Sequence, residues 1–506
     1  MDKRVEPKLL AAVPAPEGSP DKKGKDKSEK SSKKESKKEV PFSEDIAEEV
    51  KPKHKRGELL IFIVFTLLYT LAVLFGRPTE ETYYLRQNII SQLVSVQWKN
   101  IVEADQFYDY IRTDFVEKIT PDPSEYASMS IESRRTIMGY NLIVGAIQVR
   151  QVRIDSEACD AIPPGMETVL SRCYGSYSAS GQSQNSFGPP GEEGKYTFSE
   201  RGGALRPLTR GELGSYPASG YIEPLSLNRT RTIELVDQLQ ADGWISDKTR
   251  AIFIEFSLYN PNVNQFLTVR LLGEIPQSGG IITSFAVNSI RVFRYLSTIS
   301  IGIAVVELLF VAMLIYFMVS EIIAFARLRK QYFKSRWNIL DWINLLLLWV
   351  TVIIRIVVLV TSMEITIDLT SEETLDLERI SSLMDFEAQI ASLNIFFIYF
   401  RLFEYIADVP RMDQLFRTLA RAGIDLALFF IVFTIVFLAF ALSFYTSFSL
   451  YLAEFRTIPQ TIFTLFRVLL GDFDFENMYK ANKILGPLLF FLYVVVMFFM
   501  LFNMFL

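Results

Sequence analysis

Two adjacent residues, Gly471 and Asp472, combine an accessible backbone with an acidic side chain, which suits cation chemistry. A glycine lets the backbone come close to an ion, and a ring of carboxylates around an axis attracts cations. Asp474 is a second acidic position two residues further on; it either enriches divalent ions at an outer mouth or is a solvated turn residue. These residue types at this spacing predict a site for a permeating cation, with Asp472 as its metal-binding side chain.

The segments on either side of Gly471 and Asp472 have the lengths expected of a pore loop. The amphipathic run from Ile458 to Leu470 is too short to cross a bilayer, whereas the almost uncharged segment that opens at Gly486 and Pro487 is long enough. Irregular backbone at membrane depth is tolerated only where protein buries it or a water-filled cavity adjoins it. We therefore predict a re-entrant loop with its lining helix. A luminal loop between two ordinary helices is the alternative.

The whole composition indicates a membrane protein with a substantial soluble portion. The chain has 506 residues, 50% of them hydrophobic, and a mean hydropathy of +0.23. Its formal net charge of −5 conceals a lysine-rich start, residues 1–56, which we expect to be disordered and cytosolic. With two cysteines and one histidine, His54, a thiolate–zinc site or a histidine-based catalytic centre is nearly excluded, so we expect no enzyme.

Six apolar segments are predicted to span the membrane. They lie at about 59–75, 295–325, 338–360, 391–406 and 424–448, and from 486 onwards. Basic residues before the first span and after the second place those sides in the cytosol, and the acidic segment 364–387 lies outside. The resulting domains are the first span (57–76), an outer domain (77–290), the second to fourth spans (291–410) and the pore domain (411–506).

The outer domain, about 220 residues long, is large enough to have its own core. It begins with helix-like sequence from Glu80 to Ile119, and alternating apolar residues after Arg250 and after Val263 suggest paired strands. Cys159 and Cys173 close a short loop, as a luminal disulfide would. Asn228 begins an N-glycosylation sequon. A free thiol pair and an unused sequon are the alternatives, but together the two signals favour a lumen-facing domain.

Charged side chains inside the predicted spans are costly to insert and are therefore candidates for function. They are Glu307 and Glu321 in the second span, Asp341 and Arg355 in the third, and Arg401 and Glu404 in the fourth. Structural ion pairs and voltage sensing are the two interpretations. We expect Glu321 and Asp341 to be solvated near the cytosolic edge. Glu404 either cancels the gating charge of Arg401 or pairs with a neighbouring arginine such as Arg355.

The chain resembles the polycystin channels of the transient receptor potential superfamily, closest to the polycystin-2 type, from about Leu59 to Leu506. The most specific matches are FTLFRVLLGDFDF (463–475), ANKILGP (481–487) and LFNMFL (501–506). SRWNILDW (335–342) matches the start of the third span, and the segment that begins TRAIFIEFSLYN at Thr249 matches the membrane-proximal strands. Cys159 and Cys173 match the disulfide-closed loop of the family.

The resemblance implies a mainly α-helical membrane fold, with six transmembrane helices, a re-entrant pore loop and an extracytosolic α+β polycystin domain between the first two spans. It implies a calcium-permeable, non-selective cation channel that passes Ca²⁺, Na⁺ and K⁺ and needs no cofactor. Leu470, Gly471 and Asp472 fall on the family's selectivity filter. Asn503 falls in the lower gate, with Phe499 one helical turn above it.

The expected assembly is a homotetramer in contact with membrane lipids, or a mixed tetramer with polycystin-1-type or other polycystin subunits, and nucleic acid is not expected. The expected membrane is ciliary, endoplasmic reticulum or plasma. Two departures matter: the chain stops at Leu506, before the family's EF-hand and coiled coil, which suggests a truncation, and Glu404 stands where the family often has a basic residue. A non-conducting receptor subunit is the alternative function, against which the intact Leu-Gly-Asp sequence argues.

Overall fold

Long apolar helices and one β-rich domain make up the described part of the chain. The structure is a computed structural model that describes residues 56–76, 79–155, 165–166, 174–201, 208–295, 298–363, 377–407 and 410–505, with residues 365, 367 and 375 between them. The lysine-rich start and both cysteines lie outside these ranges, so the predicted disorder and disulfide stay predictions.

The first span, α1 (Arg56–Phe75), leads into a helical segment that is more divided than predicted. Instead of one helix from Glu80 to Ile119, there are α2 (Thr79–Leu93), α3 (Val96–Lys99), α4 (Ala104–Tyr110), a π-helical turn (Ile111–Phe115) and α5 (Val116–Ile119). Polar residues interrupt the run: Ser95 caps α3, and Glu103 forms a capping box at the start of α4. Two further helices follow in the outer domain, α6 (Ile131–Arg135) and α7 (Arg229–Ala241).

The outer domain is built on an antiparallel sheet. Its strands are β1 (Thr136–Ile137), β2 (Asn141–Arg153), β3 (Phe198–Ser199), β6 (Gly220–Leu225), β7 (Thr249–Asn260), β8 (Gln265–Glu274) and β9 (Ile282–Ile290), and a separate hairpin joins β4 (Thr209–Arg210) and β5 (Ser215–Tyr216). The order is β3-β6-β2-β7-β8-β9, with β1 paired to β2. The pairing of β7 with β8, from Ala251 opposite Glu274 to Asn260 opposite Gln265, confirms the predicted pair of strands. Helices α2 to α5 and α7 cover the apolar face of this sheet in one core.

Six helices of the described chain are long and apolar enough to cross a membrane, which confirms the predicted number of spans. They are α1, α8 (Thr298–Leu328), α9 (Arg336–Met363), α10 (Glu378–Ala407), α11 (Pro410–Phe448) and α14 (Leu485–Phe505). Two shorter helices, the apolar α12 (Ile458–Leu469) and α13 (Phe475–Ala481), lie between α11 and α14 in the chain. Aromatic and aliphatic side chains pack α1 with α8, α9 and α10 into one bundle, and α11 to α14 share a second core.

The fourth spanning helix starts earlier than the sequence suggested. We predicted an acidic outer loop that reaches residue 387 and a span from about 391, whereas α10 begins at Glu378. The added turns are helical because Ile380 and Ile390 are buried against Ile354 and Val358 of α9 and against strand residues of the outer domain. The start of α10 therefore belongs to the contact between the outer domain and the spans.

Candidate functional site

The pore loop consists of a capped helix and a glycine turn. Thr457 caps α12, with its hydroxyl accepting a hydrogen bond from the Gln460 N–H. At the other end the Gly471 N–H donates to the Val468 carbonyl (3.0 Å) and the Asp472 N–H donates to the Arg467 carbonyl (2.9 Å), which is a Schellman ending. Gly471 has φ +92°, a conformation that glycine adopts without penalty.

The predicted filter residues lie at the exposed tip of this turn. The Leu470 side chain is 87% exposed, and Asp472 is exposed beside it. Arg467, one turn back on α12, contacts the Asp472 carboxylate: its Nε and Nη2 each lie 2.7 Å from Oδ2. Sequence reasoning missed this partner, although an arginine five residues before an acidic residue across a helix-ending glycine is a readable signal.

Asp474 has a defined structural role in addition to its charge. Its carboxylate caps α13 by accepting hydrogen bonds from the Asn477 N–H (3.1 Å) and side-chain amide (2.6 Å). The loop is held against the last helix by the buried Tyr493 of α14, whose hydroxyl donates to the Leu465 carbonyl at 2.8 Å. This hydrogen bond therefore fixes the position of α12 relative to α14.

The two predicted gate residues lie on the last helix. Phe499 and Asn503 are both exposed on α14, four residues apart and therefore on one face. Their exposure in a single chain leaves them free to face a pore axis, another subunit or lipid. Their assignment as a gate stays a prediction.

The charged residues of the α1, α8, α9 and α10 bundle form two clusters. In the first, Arg355 of α9 contacts Glu307 of α8 (Nη1–Oε1, 2.8 Å) and Glu387 of α10 (Nη2–Oε1, 2.7 Å). Glu387 also contacts Arg294, which follows β9 in the outer domain, at 3.3 Å. The suggestion that Glu404 pairs with Arg355 is wrong, because Glu307 and Glu387 hold this guanidinium.

The second cluster surrounds Arg401 of α10. Its Nε lies 2.7 Å from Asp341 Oδ1, and more distant contacts reach Glu321 (3.6 Å) and Glu404 (3.9 Å). Asp341 is buried, so the expectation that it is solvated at the cytosolic edge is wrong. Arg401 also lies over the Phe62 ring of α1 at 4.9 Å. Both clusters tie neighbouring helices together, as the structural interpretation of these charges requires.

A third set of charges crosses the sheet of the outer domain towards α10. Glu255 of β7 lies between Arg150 of β2 (2.7 Å) and Arg270 of β8 (3.3 Å), and Arg270 also contacts Glu378 at the start of α10. Burial by itself raises the Glu255 pKa, but the two arginine charges and their hydrogen bonds outweigh it and hold the pKa at about 2. The sequence offers no signal for this set, because its members are brought together by strand register.

A buried carboxylate of β8 holds the β4–β5 hairpin, and the hairpin contacts the residue before the pore helix. Glu274 is fully buried and accepts hydrogen bonds from the N–H groups of Glu212 (2.6 Å) and Leu213 (2.9 Å) and from the Tyr216 hydroxyl (2.8 Å). A side chain at position 211 would collide with this carboxylate, which explains the glycine there. Glu212 in turn contacts Arg456, just before α12. The Glu212–Arg456 pair is therefore a contact between the outer domain and the start of the pore loop.

The remaining predicted site, Asn228, lies at the start of α7 with its side chain half-buried. Its Oδ1 accepts hydrogen bonds from the backbone of Thr230 (3.0 Å) and Arg231 (3.4 Å), so it serves as the helix cap. Glycosylation would take place on the amide nitrogen of the same side chain. This modification stays a prediction.

Comparisons with known proteins agree with this architecture. A family model described as the polycystin domain matches residues 97–293, and one described as the polycystin cation channel matches residues 294–506. The chain is 31% identical over 473 residues to polycystin-2-like protein 2 of Homo sapiens, a match that covers 91% of this chain and 75% of that one. The chain is 32% identical to polycystin-2-like protein 1 of Homo sapiens, in a match that covers 92% of this chain and 59% of that one. It is 30% identical to polycystin-2 of Danio rerio, in a match that covers 89% of this chain and 50% of that one. The chain thus spans between half and three quarters of the length of these relatives.

Proposed function

Because the chain belongs to the polycystin channel family, we propose that it forms a tetrameric, calcium-permeable, non-selective cation channel in a membrane. The proposed selectivity filter is Leu470, Gly471 and Asp472. Phe499 and Asn503 form the proposed lower gate, and Ca²⁺, Na⁺ and K⁺ are the proposed permeating ions. No catalytic residue and no cofactor belong to this proposal.

One observation carries the proposal: the helix α12 ends in a glycine turn that exposes a carboxylate and its neighbours at the tip of the loop. One chain supplies one such tip, so a filter needs several copies around an axis. Four copies of Asp472 would place a charge of about −4 in a narrow space, which favours cations. The backbone groups at Gly471 can approach an ion because no side chain stands in the way.

The outward surfaces of the pore region support an assembly in a bilayer. Large apolar side chains of α14 are exposed in the single chain, among them Leu488, Val495, Phe498 and Phe502. Contiguous apolar surface of this kind marks contact with lipid or protein. We propose that part of it meets lipid and part meets the neighbouring subunits. A polycystin-1-type chain is a second partner that this surface could accept, and polycystin-1 of Homo sapiens is 24% identical over 322 residues.

The test is planar-bilayer recording of the purified full chain, with its oligomeric mass measured on the same sample. We expect tetramers that conduct Na⁺, K⁺ and Ca²⁺. Asp472→Ala is the matched variant and should lower divalent permeation without changing the oligomeric mass. Intact tetramers that never conduct under any voltage or ion gradient would favour the non-conducting receptor subunit instead.

A further inference from the structure

The outer domain contains a cavity of about 540 Å³ that plays no part in the proposed conduction path. Its volume lies in the range of small-molecule sites. Its walls come from α6, from β2 and the end of β6, and from α7. Such a size admits an organic molecule rather than a single ion.

The cavity combines an apolar floor with positive charge. The accessible apolar lining comes from Ile131 of α6, which is exposed, and from Leu227 and Leu235, which are partly buried. The charged lining residues are Arg134, Arg135, Arg231 and Glu234. Three guanidinium groups against one carboxylate give a site that attracts an anion, while the aliphatic walls favour an apolar body attached to it.

Arg134 in particular has donor capacity that the fold does not use. Its guanidinium is stacked over the Tyr126 ring at 4.6 Å, and Nη2 donates to the Ala127 carbonyl at 3.2 Å. Its Nε is buried and has no acceptor among the described residues. The Nη1 group forms no hydrogen bond within the described residues, so it is the donor of Arg134 that can bind an acceptor from a ligand.

Arg135 fixes the other side of the cavity through an irregularity of the sheet. The register of β2 against β7 shifts between Val144 and Gln148, which frees backbone carbonyls there. The Arg135 Nη1 donates to one of them, the Gly145 carbonyl, at 2.8 Å. On α7 the Arg231 side chain is exposed and forms no ion pair within the described residues. The lining thus has guanidinium groups on both α6 and α7.

We propose that this cavity binds a small organic anion, a phosphate or carboxylate attached to a compact apolar body. Arg134 and Arg231 hold the anionic group, and Ile131, Leu227 and Leu235 contact the apolar part. The ligand is either a soluble molecule or the headgroup of an anionic lipid, since both carry this chemistry.

The experiment is calorimetric titration of the purified full chain with phenyl phosphate, with inorganic phosphate and benzyl alcohol as separate probes of the charge and the ring. We expect phenyl phosphate to bind more tightly than either probe. Arg134→Gln and Arg231→Gln should each weaken binding by at least about tenfold, because each removes a charge-assisted contact. Arg229→Gln, an arginine on the same helix that does not line the cavity, should bind as the parent does.

The source of the ligand is distinguished by repeating the titration in nanodiscs of phosphatidylcholine alone or with phosphatidylserine added. Weaker binding in the presence of phosphatidylserine supports a lipid headgroup, and equal binding supports a soluble anion. Phenyl phosphate binding that is absent, or unchanged in both arginine variants with an intact elution profile, overturns the proposal. If a segment of a second copy of the chain occupies the cavity, phenyl phosphate will not bind, and this result too counts against the proposal. Conduction is not measured, so failure here is separate from failure of the channel proposal.

Discussion

The buried ion pairs of the helix bundle and the exposed ion pair of the pore loop use the same two chemical groups in opposite surroundings. Arg355 and Glu387 are in contact at 2.7 Å, and the Glu387 side chain is 1% exposed. Arg467 and Asp472 are also in contact at 2.7 Å, but their side chains are 55% and 64% exposed. The distance between the charged groups is the same in the two pairs, but the exposure of their side chains to solvent differs.

This difference decides what each pair can do. Removing one partner from a buried pair leaves a charge without compensation, so the pair acts as a lock between helices. An exposed pair is screened and gains little, so it can open at small cost. The pore carboxylate is thus available to a passing cation, whereas the bundle carboxylates are held by their arginines.

The largest effect should follow from breaking the buried lock. Glu387→Gln should lower the free energy of unfolding by about 3 kcal/mol, because Arg294 loses its carboxylate and Arg355 keeps only Glu307. Thermal unfolding of the purified chain measures this. Asp109→Asn at the more exposed Arg112–Asp109 pair is the control and should change stability by no more than about 1 kcal/mol. Equal melting temperatures for both variants would contradict the comparison.

The next effect concerns the buried carboxylate of the outer domain. The Glu255 pKa is lowered from 4.5 to about 2, so its contribution is complete above about pH 4.5 and is lost as the pH falls towards 2. The contribution is on the order of 3 kcal/mol. Unfolding is followed by circular dichroism at several pH values between 4.5 and 2. The free energy of unfolding should decline less with falling pH in Glu255→Gln than in the parent. Parallel declines would show that this pKa shift does not stabilise the domain; exposed Glu234→Gln is the control.

At the pore loop we expect Asp472 to matter more than Asp474. Asp472→Ala removes the exposed carboxylate at the filter turn and should reduce divalent permeation or block. Asp474→Ala removes a helix cap, so it should affect stability by about 1 kcal/mol and selectivity much less. Reversal potentials and divalent block in bilayers measure both. Unchanged permeation in Asp472→Ala defeats the assignment.

A smaller change should follow from freeing the pore carboxylate of its partner. Arg467→Gln should tighten divalent block by about two- to fivefold, since an exposed pair is worth no more than about 1 kcal/mol. Arg467→Lys keeps the charge and serves as the control. If block is the same in Arg467→Gln as in the parent, the pair does not influence the filter.

The smallest effect is expected in voltage dependence. Moving one charge through the full field is worth about 2.3 kcal/mol per 100 mV. Arg401 is in contact with Asp341 and lies within 4 Å of Glu321 and Glu404, so its displacement is opposed and partly cancelled. We predict a shallow conductance–voltage curve that Glu404→Lys steepens if that protein folds. A steep curve in the parent that Arg401→Gln abolishes would disprove this.

Much of the architecture could be predicted because it depends on local pattern. Six spans, the short helix that begins at Ile458 and the paired strands after Arg250 follow from the length and periodicity of apolar runs. The turn at Gly471 follows from the same logic, since glycine is the residue that ends a helix in this conformation. These features depend on few long-range contacts.

The partners of the charges could not be predicted from the sequence. Glu387 looked like an outer-loop residue, yet the packing of α10 against α9 buries it beside Arg355. Asp341 looked solvated, yet the crossing of α9 and α10 places it on Arg401. Apolar composition alone identifies the candidate spans, because burial in lipid depends on composition. Which carboxylate neutralises which arginine depends on helix rotation and strand register, and these are set by the packing of the folded chain.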